Sequence, residues 1–336
     1  MKQYSFTIAT VLLIVLPFIA CSKKESVENP VWEKVSTFPS YLGWPSGIMT
    51  DKSGTLFICI GPDKELNYDI AMGGGVNVID YTGIYKSTDD GKTWAPFSFG
   101  VQKSLRLLKM TSDKEGTLYV TTNPAGAYRL TNGSMQWTPV SDKEIASLSV
   151  GAKNELYLGT VRKGLFRSTD HGDTWEEITG NLPSCTVFSL ASDSAGTMVL
   201  MTGFSGGFRS TNSGKTWDSI KTRLFHYSGL QSGGVITDGS SFIAYGIGRM
   251  ERSIDKGATW QYLARFPAYS FLDAGDQTYY GGMVTNGVIR VIKDSTNRKQ
   301  YSSGIDTTLR VTSIGRSSAG AIYAGTGRGI FRLIRP

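Results

Sequence analysis

The chain has 336 residues, 40% of them hydrophobic and 19% charged, a balance that excludes wholesale disorder and supplies material for a large core. Its 40 Gly against 11 Pro, with 16 Tyr, 15 Phe and 7 Trp, suits many short strands joined by tight turns. The formal charge is +7, yet no Lys/Arg run exceeds two residues, so the surface is mildly basic and well mixed and nucleic-acid binding is disfavoured.

In chain order the first element is a targeting signal over residues 1–20. Lys2 supplies a positive start, and Ile8 to Ile19 form an apolar stretch interrupted by Thr10 and Pro17. That stretch is shorter than the ~20 residues a spanning helix needs. Phe18-Ile19-Ala20-Cys21 resembles the lipobox of bacterial lipoproteins, with Phe18 in place of the usual Leu. The resemblance implies that Cys21 becomes the lipidated first residue of the mature chain, anchoring it to a membrane of the bacterial envelope. Cleavage elsewhere as a plain secretory peptide is the alternative. Ser22, with no Asp after it, points to the outer membrane by analogy with enterobacterial sorting. Residues 21–30 then form a polar tether.

From residue 31 onward the sequence repeats itself. The clearest copies are Gly83 to Trp94 (GIYKSTDDGKTW), Gly164 to Trp175 (GLFRSTDHGDTW), Gly207 to Trp217 (GFRSTNSGKTW) and Arg252 to Trp260 (RSIDKGATW). Decayed copies are Ala127 to Trp137, which keeps the final Trp, and Val288 to Tyr301, which replaces it with Tyr. Upstream of each lies an apolar stretch, a polar turn and a β-rich doublet, as in Gly116-Thr-Leu-Tyr-Val. Four short antiparallel strands in each such unit make one propeller blade. The expected fold is therefore all-β, a seven-bladed β-propeller over residues 31–336. Its blades are expected at about 41–100, 105–140, 144–180, 185–220, 226–263, 266–304 and 308–336. The last copy stops after its third strand. Val31-Trp32-Glu33 matches the segment after each box, such as Thr174-Trp175-Glu176, so residues 31–38 are expected to complete the seventh blade and close the ring. Cys59 and Cys185 fall three repeats apart in apolar strand contexts and are expected to be buried free thiols.

The box Ser-x-Asp-x-Gly-x-Thr-Trp reads as a hairpin turn that satisfies itself. In the third blade Gly172 takes positive φ, Asp170 accepts turn N–H groups, Ser168 and Thr174 bond across the hairpin, and Trp175 covers it. The same roles fall to Ser87, Asp89, Gly91 and Trp94, to Ser210, Asn212, Gly214 and Trp217, and to Ser253, Asp255, Gly257 and Trp260. Asn212 keeps the acceptor oxygen and loses the charge, which suits scaffolding and not a catalytic carboxylate. These boxes resemble the Asp-box (bacterial neuraminidase repeat) superfamily, which includes sialidases, xyloglucanases, sortilin-type receptors and photosystem II assembly factors. The resemblance implies the propeller fold and places the boxes on the outer, lower rim, away from the ligand face.

Ligands of propellers usually sit over the channel mouth. Aligning the copies puts Trp44, Arg106, Glu144, Thr186, His226, Ala268 and Arg310 at one position opening each innermost strand. Two Arg, one His and one Trp there suit an anionic or sugar-like ligand, while long polar side chains solvating a wet channel are the plainer explanation. An insertion over 61–82 in the first blade carries Asp63, Glu65, Tyr68 and Asp69, and its Gly73-Gly-Gly run suits a hinged lid. Arg162 and Arg328 stand in corresponding loops. Tyr41, Phe204, Phe225, Tyr227 and Tyr269 suit either stacking on a sugar or filling gaps between blades.

Tests for enzymes are negative or weak. The early Phe/Tyr-Arg-Ile-Pro segment of sialidases is missing; Phe331-Arg332-Leu-Ile-Arg-Pro stands at the wrong end. Glu144 with Asp63 or Asp69 is the one carboxylate pair available for glycoside hydrolysis. His171 and His226 stand in separate blades, leaving no His/Cys cluster for zinc and no Ser-His-Asp set. The expectation is a non-catalytic envelope lipoprotein without cofactor or metal. It would bind a protein partner or glycan on the face bearing the 61–82 insert. The alternative is a glycan-active hydrolase with an atypical site.

Overall fold

The computed structural model describes residues 31–36, 44–61, 83–101, 106–123, 126–203, 205–221, 233–246, 248–265, 268–275, 278–292 and 298–335. The leader, Cys21, the tether and most of the 61–82 insert lie outside them. The described residues form seven four-stranded antiparallel sheets and no helix. The innermost strands are Trp44–Thr50, Arg106–Ser112, Ile145–Val150, Val187–Ser192, Gly233–Thr237, Ala268–Asp273 and Val311–Arg316. Successive members pack side by side around the ring. This is the seven-bladed propeller expected from the repeats.

Each blade is sandwiched between two neighbours, and this dictates what its second strand must be. A strand covered on both faces reads as a continuous apolar run. Leu56–Gly61 (LFICIG), Leu156–Thr160 (LYLGT) and Met198–Thr202 (MVLMT) are accordingly buried at every residue. Alternation then assigns side chains to opposite interfaces. Phe57 and Cys59 pack with Met110, Leu118 and Val120 of the second blade, whereas Leu56, Ile58 and Ile60 pack with Tyr323 and Ile330 of the seventh. The core is thus seven separate clusters, one per interface between blades. Each fully buried Leu or Ile contributes roughly 1.5–3 kcal/mol, so the interfaces hold the ring together. Cys59 and Cys185 are buried free thiols, and burial pushes both thiols up.

Ring closure follows the expected route. The strand Val31–Ser36 is the outermost member of the last sheet, pairing with Gly329–Arg335. Trp32 is 2% exposed, and its Nε1 donates to the Tyr301 carbonyl at 2.6 Å, across 269 residues of sequence. Trp137 of the second blade makes the same bond to the Phe97 carbonyl of the first, at 2.9 Å. Trp32 therefore occupies the place of a box tryptophan. Gly304 (φ 91°) lies beneath it, where a Cβ would come 2.0 Å from the Trp32 carbonyl oxygen; Gly100 (φ 95°) lies the same way beneath Trp137.

Six innermost strands carry a bulge near their start, between Pro45/Gly47, Leu107/Lys109, Ile145/Ser147, Val187/Ser189, Ala268/Ser270 and Val311/Ser313. Serines just after the bulge tie one blade to the next: Ser147 Oγ donates to Val187 O at 2.7 Å, and Ser270 Oγ to Val311 O at 3.3 Å. At the last interface Thr312 Oγ1 takes the corresponding acceptor, Pro45 O, at 2.7 Å, and Ser313 Oγ is left without a partner.

Two expectations of register need correction. The fifth innermost strand is Gly233–Thr237, seven residues after the alignment's His226, which lies outside the described residues. Ala268 sits opposite Met283 just before its bulge, as Ile145 sits opposite Thr160, so it is one step past the level of Glu144. The first error comes from counting residues where loop length and bulge differ, since the fifth innermost strand carries no register shift. The second is a one-residue slip, because Ala268 and Ile145 hold equivalent places opposite Met283 and Thr160.

Candidate functional site

Topology separates two faces. The turns between first and second strands, and the box turns between third and fourth, share the lower rim. The loops between second and third strands, and those entering each innermost strand, share the channel mouth.

At the lower rim the box turns close on themselves. Asp170 Oδ1 accepts Thr174 N–H at 2.9 Å and Ser168 Oγ–H at 2.7 Å, and its Oδ2 accepts Thr174 Oγ1–H at 2.5 Å. Ser168 Oγ in turn accepts the buried Gly172 N–H at 2.8 Å. Ser87/Gly91, Ser210/Gly214 and Ser253/Gly257 repeat that bond at 2.8–3.0 Å. Hydrogen bonds from Thr93 and Ser87 hold the Asp89 carboxyl down at about 2; those from Thr259 and Ser253 do the same for Asp255. Asp170 is lowered likewise by Thr174 and Ser168. Asn212 keeps the geometry with one bond reversed: its Oδ1 accepts Thr216 N–H at 2.9 Å, while its Nδ2 donates to Thr216 Oγ1 at 2.8 Å. A charge is dispensable there. The residue before each box Gly is also left-handed (Asp90 φ 60°, His171 φ 59°, Ser213 φ 58°, Lys256 φ 59°), a feature the sequence does not announce because it falls on a variable position.

Each intact box presses its glycine onto the preceding blade: Gly172 against Val140, Gly214 against Ile178, Gly257 against Val199. In the decayed second box Ser134 stands where the box glycine would be, three residues before Trp137, and a cleft of about 240 Å³ opens between blades one and two over Phe57, Phe97, Leu118 and Leu130.

At the channel mouth the alignment holds for five members. Trp44 pairs with Gly61, Arg106 with Asn123, Glu144 O accepts Val161 N–H, Thr186 O accepts Gly203 N–H, and Arg310 precedes Val311. Two of these converge. The Arg310 guanidinium lies 5.1 Å from the Trp44 ring and 5.5 Å from that of Tyr269, on the bulge of blade six. Its Nε is enclosed without a hydrogen-bond partner, and no ion pair among the described residues involves it. Tyr269 is 42% exposed beside it. Arg328 is exposed nearby in the sequence order of blade seven and pairs with Asp306 at 3.3 Å. Glu144 and Arg162 are exposed. Thr186 Oγ1 donates to Val161 O at 2.6 Å, a bond between blades. Tyr68, His226, Asp63, Glu65, Asp69, Tyr41, Phe204, Phe225 and Tyr227 lie outside the described residues.

One grouping escapes the sequence altogether. Asp113, in a first-to-second strand turn of blade two, meets His171 from the box of blade three, with Nδ1 and Oδ2 3.2 Å apart. Glu115 stands with them, and donor atoms of all three lie within 4.8 Å of one another. A sequence separation of 58 between Asp113 and His171 hides the pairing.

No curated protein matches the sequence. Among solved structures, catalytically inactive virginiamycin B lyase from Staphylococcus aureus with quinupristin is similar at 13% identity and TM-score 0.69, covering 92% of this chain and 100% of that one. The extracellular domain of a putative hybrid two component system from B. thetaiotaomicron aligns at 15% identity and TM-score 0.67, covering 91% of this chain and 40% of that one. YCF48 from Cyanidioschyzon merolae aligns at 11% identity and TM-score 0.60, covering 91% and 99%. At these identities the likeness is one of fold. Residues 70–301 match the family described as the DUF6242 beta propeller domain. That match spans more than half of the sequence, and the chain belongs to the DUF6242 beta-propeller family.

Proposed function

We propose that the protein is a non-catalytic binding propeller, held at a bacterial envelope membrane through Cys21, which takes an anionic group of a protein segment or glycan over its channel mouth. The observation that carries this reading is Arg310. A half-buried guanidinium clasped by Trp44 and Tyr269, with Nε enclosed and unpaired, is a cation held in place and short of an acceptor. Such a cation favours a carboxylate or a comparable oxyanion, because the fixed planar fork loses little freedom on binding. Arg162 adds positive charge in a loop of the same face, where Arg328 is paired with Asp306.

The same fold serves several ends in its structural neighbours: one YCF48 structure is bound to D1 peptide, and a virginiamycin B lyase structure contains quinupristin. Binding is favoured over catalysis here because the described mouth joins a cation to aromatic rings, whereas its acidic groups Glu144 and Asp306 are exposed and the latter is already paired with Arg328. The 61–82 insert leaves from Gly61, paired with Trp44, and returns at Gly83, so its ends flank this site.

The test is capture of envelope proteins and screening on a glycan array, with wild type compared to Arg310→Ala and to a chain lacking residues 61–82. Wild type is expected to retain a ligand that Arg310→Ala binds at least about tenfold more weakly, the ~1.4 kcal/mol expected of one charge-assisted contact. Equal binding by Arg310→Ala would overturn the assignment to the mouth. Turnover of a captured glycan, lost on Glu144→Gln, would replace binding by hydrolysis.

A further inference from the structure

We propose that Asp113, Glu115 and His171 form a three-donor site for one divalent transition-metal ion, with Zn²⁺ the best match, bridging blades two and three at the lower rim. The donor atoms all lie within 4.8 Å of one another, and His171 Nδ1 and Asp113 Oδ2 are 3.2 Å apart. Donors sharing a zinc at about 2.0–2.2 Å stand up to roughly 4 Å from each other. A small rotation of exposed side chains therefore completes the geometry: His171 is 47% exposed and Glu115 is also exposed, whereas the Asp113 side chain is fully buried and fixed. One imidazole and two carboxylates suit zinc better than the oxygen-only sets that calcium and magnesium take, and three protein ligands leave a fourth place for water.

The surroundings are those of a supported ligand set. Asp113 Oδ1 accepts Thr117 N–H at 2.8 Å, and its Oδ2 accepts Tyr119 Oη–H at 3.0 Å. Asn154 Nδ2, from blade three, donates to the Glu115 carboxylate and holds it towards His171. The two cations close by are occupied elsewhere. Lys114 Nζ donates to Ala152 O, and Arg129 donates to the His171 carbonyl at 3.1 Å and pairs with Asp173 at 2.8 Å.

Comparison of blades separates this grouping from the scaffold. The strand turn needs only its aspartate: Asp51 and Asp193 accept the equivalent N–H groups of Thr55 and Thr197 at 3.0 and 2.8 Å. The box needs no histidine, since Asp90, Ser213 and Lys256 fill the position of His171 in the other intact boxes. Glu115 also goes unused by its turn, whose N–H groups bond to Asp113. Two of the three donors are therefore not needed by their own turns, and they converge on the third.

Zinc chloride titrated into the chelator-stripped full chain in detergent, followed by calorimetry and by thermal melting, tests the site. One Zn²⁺ per chain and a raised melting temperature are expected. His171→Ser, the residue that blade four carries at this position, and Glu115→Gln should each weaken binding by about tenfold or more with an unchanged circular dichroism spectrum. No saturable uptake, or uptake undiminished in His171→Ser, would sink the proposal and leave an ordinary His–Asp hydrogen bond.

Discussion

The lower rim and the channel mouth are built from the same repeat and end in opposite states. In a box turn, Ser168, Asp170, Gly172 and Thr174 exhaust one another's donors and acceptors. At the mouth Arg310 keeps an enclosed Nε with no partner and is held by rings alone. Folding explains every polar atom of the first set, because a buried unsatisfied N–H costs about 1–3 kcal/mol. It does not explain the second. A cation that the fold does not use is where a ligand is to be sought.

The sharpest way to break the lower rim is at its closure. Trp32→Ala removes a fully packed indole and its bond to Tyr301, and it loosens the one strand that joins the two ends of the propeller. A loss of about 3–5 kcal/mol in urea unfolding is expected. Trp94→Ala, on a half-exposed indole whose Nε1 bonds within its own turn to Gly91 O, should cost less. Equal losses would mean that closure adds nothing beyond local packing.

Within the boxes the oxygen that matters most is the serine's. Ser168→Ala strands the buried Gly172 N–H and is expected to cost about 1–3 kcal/mol, whereas Asp170→Asn should cost less, since Asn212 already performs that role in blade four. The aspartates nevertheless make the rim acid-sensitive. Asp89 and Asp255 titrate at about 2 in the fold against about 3.9 when unfolded, so their contribution is present above pH ~4 and is lost as pH falls towards 2. Asp255→Asn should lose less stability than wild type between pH 6 and pH 2.5. An identical pH slope in urea midpoints would show that the box carboxylates are not the titrating groups.

What the sequence reveals follows the same division. The blade count, the closure by Trp32 and the scaffolding role of Asn212 are legible because the repeat fixes them by local spacing, and a hairpin turn is a local object. Legibility fails where distance or irregularity enters. His226 falls outside the ring position through a longer entry loop, which leaves no mark in residue type, and Ala268 through a one-residue slip along the apolar second strand Thr278–Met283. Tyr269 looked like any aromatic of the fold until Arg310, on the neighbouring innermost strand, was laid against it. His171 sat in a variable box position, and only the contact between blades brings Asp113 to it. Propeller interfaces join residues about one repeat apart, so any site built across them is invisible to a search for compact motifs.

The smallest expected effect on folding is also the most informative about function. Arg310→Met keeps an unbranched side chain that can lie between Trp44 and Tyr269, and it removes a charge with no acceptor among the described residues. The loss of two cation–π contacts, each worth about 0.5–1 kcal/mol, is offset by the end of desolvating a guanidinium. Unfolding free energy should therefore move by less than about 1 kcal/mol, in either direction, while ligand capture falls. A loss of 2 kcal/mol or more would make Arg310 a girder between blades six, seven and one, and the mouth would then resemble the rim. A near-neutral change paired with lost capture separates the two faces as the geometry does: one is consumed by folding, and the other is held ready by it.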